Sequence, residues 1–225
     1  MNYLVVGASS GIGAEVANLL KSQGHQVFTA QRRNVEGLPH IPFDASQPNF
    51  DFSALPDELH GVVYAPGTIL LKPFHRFSME DFQNDFQVNV LGAVHVLQGC
   101  LPKLKKANGA NVVLFSSVAA QMGMGFHASI AAAKSAVEGL TRSLAAEWAP
   151  AQIKVNAIAP SLTNTPLASS LLSSPEKMEA SAKRHPLGRV GESSDLAASV
   201  QFLLQPNLWM TGTVLQVDGG MGNTK

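Results

Sequence analysis

The most constraining feature of this chain lies in its first thirteen residues. Tyr3-Leu4-Val5-Val6 is an uninterrupted apolar run, the pattern of a central parallel strand covered on both faces. It breaks into Gly7-Ala8-Ser9-Ser10-Gly11-Ile12-Gly13, and a helical pattern follows with Val16, Leu19 and Leu20 on one side. Strand, glycine turn and helix in that order let the backbone approach a pyrophosphate, with the free N–H groups and positive dipole end of a helix facing it. A purely structural turn is the alternative. The strand before and the helix after favour the nucleotide.

The rest of the chain repeats the same alternation. Strand patterns recur at Gln26 to Ala30, Ile41 to Ala45, Val62 to Gly67, Asn111 to Ser117, Ile153 to Pro160 and Gly212 to Gly220. Helical spacing predicts one long helix from Ser78 towards Leu104, opened by a near capping box. Further helices are predicted at Ile130 to Trp148 and Ser193 to Leu204. The segment Leu167 to Lys183 is Ser-rich and is expected to be mobile, with one short helix. At 225 residues the expectation is one α/β domain over residues 1–225, a doubly wound Rossmann-type fold with a seven-stranded parallel sheet flanked by helices.

Sixteen basic and sixteen acidic side chains cancel, so no overall field would gather nucleic acid or an anionic membrane. No apolar run approaches the roughly 18 residues of a spanning helix, and no charged leader precedes Tyr3, so a cytoplasmic protein is expected. Cys100 is the only cysteine, which excludes an internal disulfide, and no Cys/His cluster has zinc spacing. Cys100 reads as a buried small hydrophobe.

Several spacings together resemble the short-chain dehydrogenase/reductases, in their carbonyl-reducing branch, from Tyr3 to Gly220. They are the Gly-x-x-x-Gly-x-Gly turn, Asn89 within Val88-Asn89-Val90-Leu91-Gly92, Ser117 and Lys134, Pro160-Ser161-Leu162-Thr163-Asn164-Thr165, and the closing Val217-Asp218-Gly219-Gly220. The resemblance implies that Gly7, Ser9, Ser10, Gly11, Ile12 and Gly13 hold a nicotinamide dinucleotide. Asp44 and Ala45 would then lie near the adenine, although a plain turn aspartate remains open. Ala65, Gly67, Pro160, Thr163 and Thr165 would lie along the nicotinamide half. It also implies that Asn89 holds a water beside Lys134, that Lys134 binds the ribose, and that Ser117 bonds the substrate oxygen. After the second strand, Gln31 stands where an aspartate would select NAD, and Arg32 and Arg33 follow. An arginine there pairs with a 2'-phosphate, so NADP is expected over NAD, the alternative being two solvated arginines. Family members are oligomers, and the two long helices suggest a homodimer or homotetramer.

The chain departs from the family at three places. Thirteen residues after Ser117 the family has tyrosine, the proton donor, and this chain has Ile130. Tyr64-Ala65-Pro66-Gly67 replaces Asn-Asn-Ala-Gly. Ser161 replaces a glycine, which predicts strain if the backbone there is left-handed. His127 lies seven residues before Lys134, which is two turns on the same face if the helix already runs there. An imidazole could replace the phenol, with Tyr64 and Ser129 as weaker candidates; otherwise His127 is a loop residue facing solvent or a subunit. Met122, Met124 and Phe126 could wall an apolar pocket or simply pack. Two functions stand. One is an oxidoreductase moving hydride to or from a small apolar carbonyl or enoyl substrate with a non-standard proton donor. The other is a catalytically silent dinucleotide-binding sensor or partner subunit, with a purely structural role behind both.

Overall fold

The structure is a computed structural model that describes residues 1–35 and 37–224. Its strands are β1 (Asn2–Val6), β2 (Gln26–Gln31), β3 (His40–Pro42), β4 (Gly61–Tyr64), β5 (Ala110–Phe115), β6 (Ile153–Pro160), β7 (Thr163–Asn164), β8 (Gly191–Glu192) and β9 (Val214–Val217). Seven of them form one sheet in the order β3-β2-β1-β4-β5-β6-β9, every pairing parallel. From β1 the chain steps outward through β2 to β3, then returns to the other side of β1 and steps away to β9. The strand order therefore reverses between β1 and β4, the place where open α/β sheets leave a crevice at their carboxyl ends.

Alternation along each strand explains why both faces are covered. Leu4 and Val6 of β1 join Val62, Val112 and Val155 in a core layer closed by Val96, Leu97 and Leu104 from one side, with Val137 and Trp148. Tyr3 and Val5 face the other way, with Val63, Val113 and Ile158, under Val16, Leu20, Leu196 and Val200. Helices α3 (Gly92–Lys106) and α4 (Ala128–Trp148) thus cover one face, and α1 (Gly11–Ser22) and α6 (Ser193–Leu203) the other. Leu4, Leu97 and Leu104 are fully enclosed, and truncating any of them to alanine should cost about 2–5 kcal/mol. Cys100 sits in the first layer, unpaired and buried, and burial pushes its thiol up to about 12. It behaves as the expected hydrophobe.

The expected single helix from Ser78 is interrupted. Helix α2 (Met79–Phe86) opens with a full capping box, Ser78 Oγ accepting from Asp81 N–H and Asp81 Oδ2 from Ser78 N–H. A π-helical turn at Gln87–Leu91 then joins it to α3 without a break. Such turns widen a helix locally and concentrate at functional positions. Asn89 lies inside this one. The third strand is shorter than expected, leaving Asp44 and Ala45 in a turn. Leu167 to Lys183 is mostly helical, as a 3₁₀ turn (Pro166–Leu172) and α5 (Pro175–Ala182). β7 and β8 form a separate parallel two-stranded pair that joins the two ends of this segment, Thr163 beside Gly191 and Asn164 beside Glu192. Among the described residues no helix is long and apolar enough to cross a membrane.

Candidate functional site

The crevice at the strand reversal holds two adjoining cavities. The first, of about 420 Å³, is walled by the β1–α1 turn from Gly7 to Gly13, by Arg32 beyond β2, by Asp44 and Ala45, and by Ala65 and Gly67 beyond β4. Thr165 closes it from beyond β7. Two glycines are obligatory here. Gly7 has φ +82°, and a Cβ on Gly13 would lie 2.3 Å from the Gly7 carbonyl oxygen, so only glycine lets helix and strand approach this closely. The opening of α1 is left uncapped: Ser10 is its N-cap residue but its side chain makes no cap bond, and the first turn carries no acid. Those N–H groups are available to an anion. Asp44 Oδ1 accepts from Ser46 N–H and Oγ–H, bonds that hold its carboxyl below the usual range, with help from Arg32. Asp44 thus holds a local turn through Ser46, and it also lines the cavity. Arg33 is exposed and does not line it.

The second cavity, of about 320 Å³, shares Ile12, Ala65, Gly67 and Thr165 with the first. Its walls bring together Ser117, His127, Ile130, Lys134, Pro160 and Thr163, and its other lining is largely aliphatic, including Ile69, Leu71, Val118 and Leu171. Among the described residues no Asp or Glu lines it. Lys134 is buried and donates to the Phe115 carbonyl at 2.8 Å. Burial lowers its pKa from 10.5 to about 8, and the negative Asp85 works against that fall.

Asp85 was not foreseen from the sequence, nor was Thr68. Thr68 Oγ donates to Asp85 Oδ1 at 2.5 Å, and Asn89 Nδ2 donates to Thr68 Oγ at 2.9 Å and to the Asp85 carbonyl at 2.8 Å. Asn89 Oδ1 and Asp85 Oδ2 are buried with no partner. A Cβ on Gly67 would stand 3.5 Å from Asn89 Oδ1 and 3.8 Å from Lys134 Nζ, so amide and ammonium flank the same glycine. An asparagine at the head of a helix turn is visible in sequence; an aspartate four residues earlier looks like any helix-surface acid. Only the sheet places Thr68 against it.

The residues proposed as donors separate clearly. Ile130 is 6 % exposed and forms part of the second cavity's wall. His127 lines the same cavity, but α4 begins at Ala128 and His127 is its N-cap residue with φ −103° and ψ 12°. The two-turn helical phase to Lys134 therefore does not hold. Its Nδ1 donates to the Gly125 carbonyl at 2.6 Å. Tyr64 points away into the core, its hydroxyl donating to the Val88 carbonyl at 2.6 Å and its pKa pushed up by burial. Ser129 is buried and donates to the Asp81 carbonyl. Neither lines the cavity. Of the Met/Phe group, Met124 reaches the cavity, whereas Phe126 is 61 % exposed with φ +69°. Ser117 Oγ accepts from Ala119 N–H, capping a short 3₁₀ turn, which leaves its proton free for the cavity. Ser161 is not among the left-handed residues, so the strain expected there is absent.

An open glycine turn at the strand reversal, a buried lysine beside it and an adjoining apolar cavity define a dinucleotide-binding oxidoreductase of the α/β class. Residues 52–222 match the family described as Enoyl-(Acyl carrier protein) reductase. A tropinone reductase homolog of Arabidopsis thaliana is 34 % identical over 98 % of this chain and 92 % of its own length. Another from Datura stramonium is 30 % identical over 98 % and 91 %. Among solved structures, the ligand-free aldohexose dehydrogenase of Thermoplasma acidophilum has TM-score 0.91 at 26 % identity, covering 100 % of this chain and 94 % of that one. A putative 2-deoxy-D-gluconate 3-dehydrogenase from Agrobacterium tumefaciens with bound NADP has TM-score 0.90 at 29 % identity, covering 98 % and 95 %. The chain belongs to the short-chain dehydrogenase/reductase family.

The residues present fit a nicotinamide dinucleotide. The uncapped α1 terminus offers donors for phosphate, and Gln31 Oε1, buried at the end of β2 without a donor, offers an acceptor beside the first cavity.

Proposed function

We propose that this protein is an NADP-dependent oxidoreductase acting on a small, largely apolar carbonyl or enoyl substrate, with a proton donor other than a phenol. One observation carries the reading: Ser117 and Lys134 line an aliphatic cavity continuous with the glycine turn, and Asn89 Oδ1 flanks, with the Lys134 ammonium, the Gly67 that both cavities share. The dinucleotide, when bound, supplies or accepts hydride. The Gly7–Gly13 turn holds its phosphates, Asp44 and Ala45 its adenine end, and Arg32 a 2'-phosphate. Lys134 holds the ribose through its ammonium, while Pro160, Thr163 and Thr165 bound the nicotinamide half. Ser117 donates to the substrate oxygen, and the aliphatic walls exclude water so that this bond strengthens as charge develops.

The test is single-turnover oxidation of bound NADPH against a panel of ketones and enoyl thioesters, with NADH in parallel. Oxidation of NADPH by at least one of them is expected, and Arg32→Gln should erase the preference over NADH. No oxidation by any, from a cofactor-loaded protein, would overturn the reading.

A second reading is a silent dinucleotide-binding sensor or partner subunit. Ile130 favours it, because an aliphatic side chain in that wall supplies no proton. It requires dinucleotide binding, a ligand-raised Tm and no turnover. We also propose a homo-oligomer. Met79, Phe86 and Leu91 are large, apolar and exposed on one stretch of α2 and its π-turn, a surface suited to a second copy.

A further inference from the structure

Ser161 and His185 are a hydrogen-bonded pair that the oxidoreductase reading leaves unused. Ser161 follows β6 at the position where the family resemblance calls for glycine, and His185 lies on the turn after α5. His185 is 4 % exposed. Its Nδ1 lies 2.8 Å from the Ser181 carbonyl and its Nε2 lies 2.8 Å from Ser161 Oγ. A carbonyl can only accept, so Nδ1 carries a proton, and in the neutral ring Nε2 is the acceptor for the Ser161 hydroxyl. Ser161 Oγ is also 3.3 Å from the Asp218 carbonyl, a second acceptor when Nε2 is protonated. Hydroxyl, imidazole and orienting carbonyl form the arrangement that activates a side chain for proton transfer. Both Ser161 and His185 line the 320 Å³ cavity that also contains Ser117, Ile130 and Lys134.

We propose that Ser161 and His185 form a proton relay that does the work of the phenol absent at position 130. The inference rests on the oxidoreductase reading. In the reducing direction a reduced nicotinamide dinucleotide would supply one hydride to the carbonyl carbon and be oxidised by two electrons, and the C=O π pair would move onto oxygen. The carbonyl oxygen takes the Ser161 Oγ proton, Oγ takes the Nε2 proton of imidazolium His185, and the ring is left neutral with Nδ1 still donating to Ser181. Solvent reprotonates Nε2 after the alcohol leaves. Oxidation of an alcohol runs the same transfers backwards, with neutral His185 receiving the proton.

His127 is held differently. Its Nδ1 donates to the Gly125 carbonyl of its own loop and, among the described residues, no hydroxyl engages its other ring nitrogen, so it forms no such pair. Two charged side chains belong to the corner around His185. Arg184 adjoins it and lines the cavity. Asp218 holds its carboxylate on the Gly220 and Gly222 N–H groups.

The experiment uses the full chain loaded with NADPH and the ketone panel, comparing wild type with Ser161→Gly and His185→Gln. Each should lower kcat for ketone reduction about 10²–10⁴-fold, with NADPH fluorescence on binding unchanged. A readout independent of turnover is the ¹⁵N NMR spectrum of His185 in labelled protein: Nε2 should be the unprotonated nitrogen of the neutral ring, and Ser161→Gly should move its shift. Wild type that reduces ketones while Ser161→Gly keeps the same rate would overturn the relay alone. Wild type that oxidises no NADPH with any ketone would overturn relay and oxidoreductase reading together. Should His185→Gln fail to fold, Ser161→Gly decides, since it restores the smaller residue.

Discussion

The two cavities of the crevice are built from different materials. The one at the glycine turn is walled on one side by main chain: the Gly7–Gly13 turn, the open first turn of α1, and Gly67. The one beneath α4 and α5 is walled by side chains, many of them aliphatic, with Ser117, Ser161, His127, His185, Arg184 and Lys134 among its polar members. A main-chain wall is indifferent to what its side chains are and intolerant of a Cβ where contact is closest. A side-chain wall is open to replacement residue by residue. That contrast explains how a chain can keep the glycine turn and still carry isoleucine at position 130.

The sharpest way to break the contrast is Ile130→Tyr. The substitution faces an open cavity, so a phenol can be accommodated, and a second acid in the apolar half should raise kcat by about 10²-fold or more if the existing donor is the weaker one. Cofactor affinity should not move, because the main-chain half is untouched. Combined with His185→Gln, the tyrosine should rescue turnover, which steady-state kinetics on the double variant would show. No rescue would mean that more than the acid differs from active relatives.

The opposite probe is Gly13→Ala. Its Cβ would sit 2.3 Å from the Gly7 carbonyl oxygen and 2.9 Å from the carbonyl carbon. Backbone cannot yield as a flexible side chain does, so the loss should be about 3 kcal/mol of stability, together with dinucleotide binding. Urea denaturation and NADPH fluorescence measure the two effects. A stable protein that still binds would show that the cradle has slack.

This division also decides what could be read from the sequence. The β1–α1 turn was legible because glycine spacing after an apolar strand demands close main-chain contact, and the sheet was legible because Leu4, Val6, Tyr3 and Val5 alternate into two cores. The π-turn was not, since the apolar intervals from Phe82 to Leu104 fit an unbroken helix and the extra residue per turn leaves no periodic mark. Asp85, Thr68 and His185 were missed for a related reason: each meets its partner across 17 to 24 residues of chain, where spacing carries no signal. Tyr64 failed as a donor because strand alternation sends it to the core face with Leu4 and Val6 rather than to the crevice.

Lys134 links the two halves, and replacing it should separate their requirements. The ammonium is buried, and a fall from 10.5 to about 8 corresponds to about 3 kcal/mol of folding cost. Below pH 8 both folded and unfolded chains hold the proton and the full cost is present. Between about pH 8 and 10.5 the folded chain releases it first, so the stability of the cofactor-free protein should rise with pH across that window. Lys134→Met should remove the slope. At pH 7 it should stabilise the cofactor-free protein by a net of about 1–2 kcal/mol, the Phe115 carbonyl losing its donor against the gain. Dinucleotide affinity should fall in the same variant. A variant that is less stable at pH 7 would show that the ammonium is better solvated than its burial implies.

The smallest effect tests whether Asp85 governs that ammonium. Asp85→Asn preserves the shape and the acceptor for Thr68 Oγ but removes the one carboxylate that opposes the fall in the Lys134 pKa. Glu138, one turn along α4, is already engaged by Ser116 and Gln121. Without the negative charge the folded-state titration of Lys134 should drop further below 8. The pH at which NADPH affinity falls should therefore move down, by about half a unit to one unit, while affinity at low pH, where the ammonium is charged in both proteins, stays the same. Fluorescence titrations at a series of pH values resolve a shift of that size. A midpoint that stays put would mean that burial alone sets the lysine's charge, and that the buried chain from Asp85 through Thr68 to Asn89 orients the amide without acting on the ammonium. A downward shift would make Asp85 the side chain that keeps Lys134 charged at the pH where the main-chain half needs it.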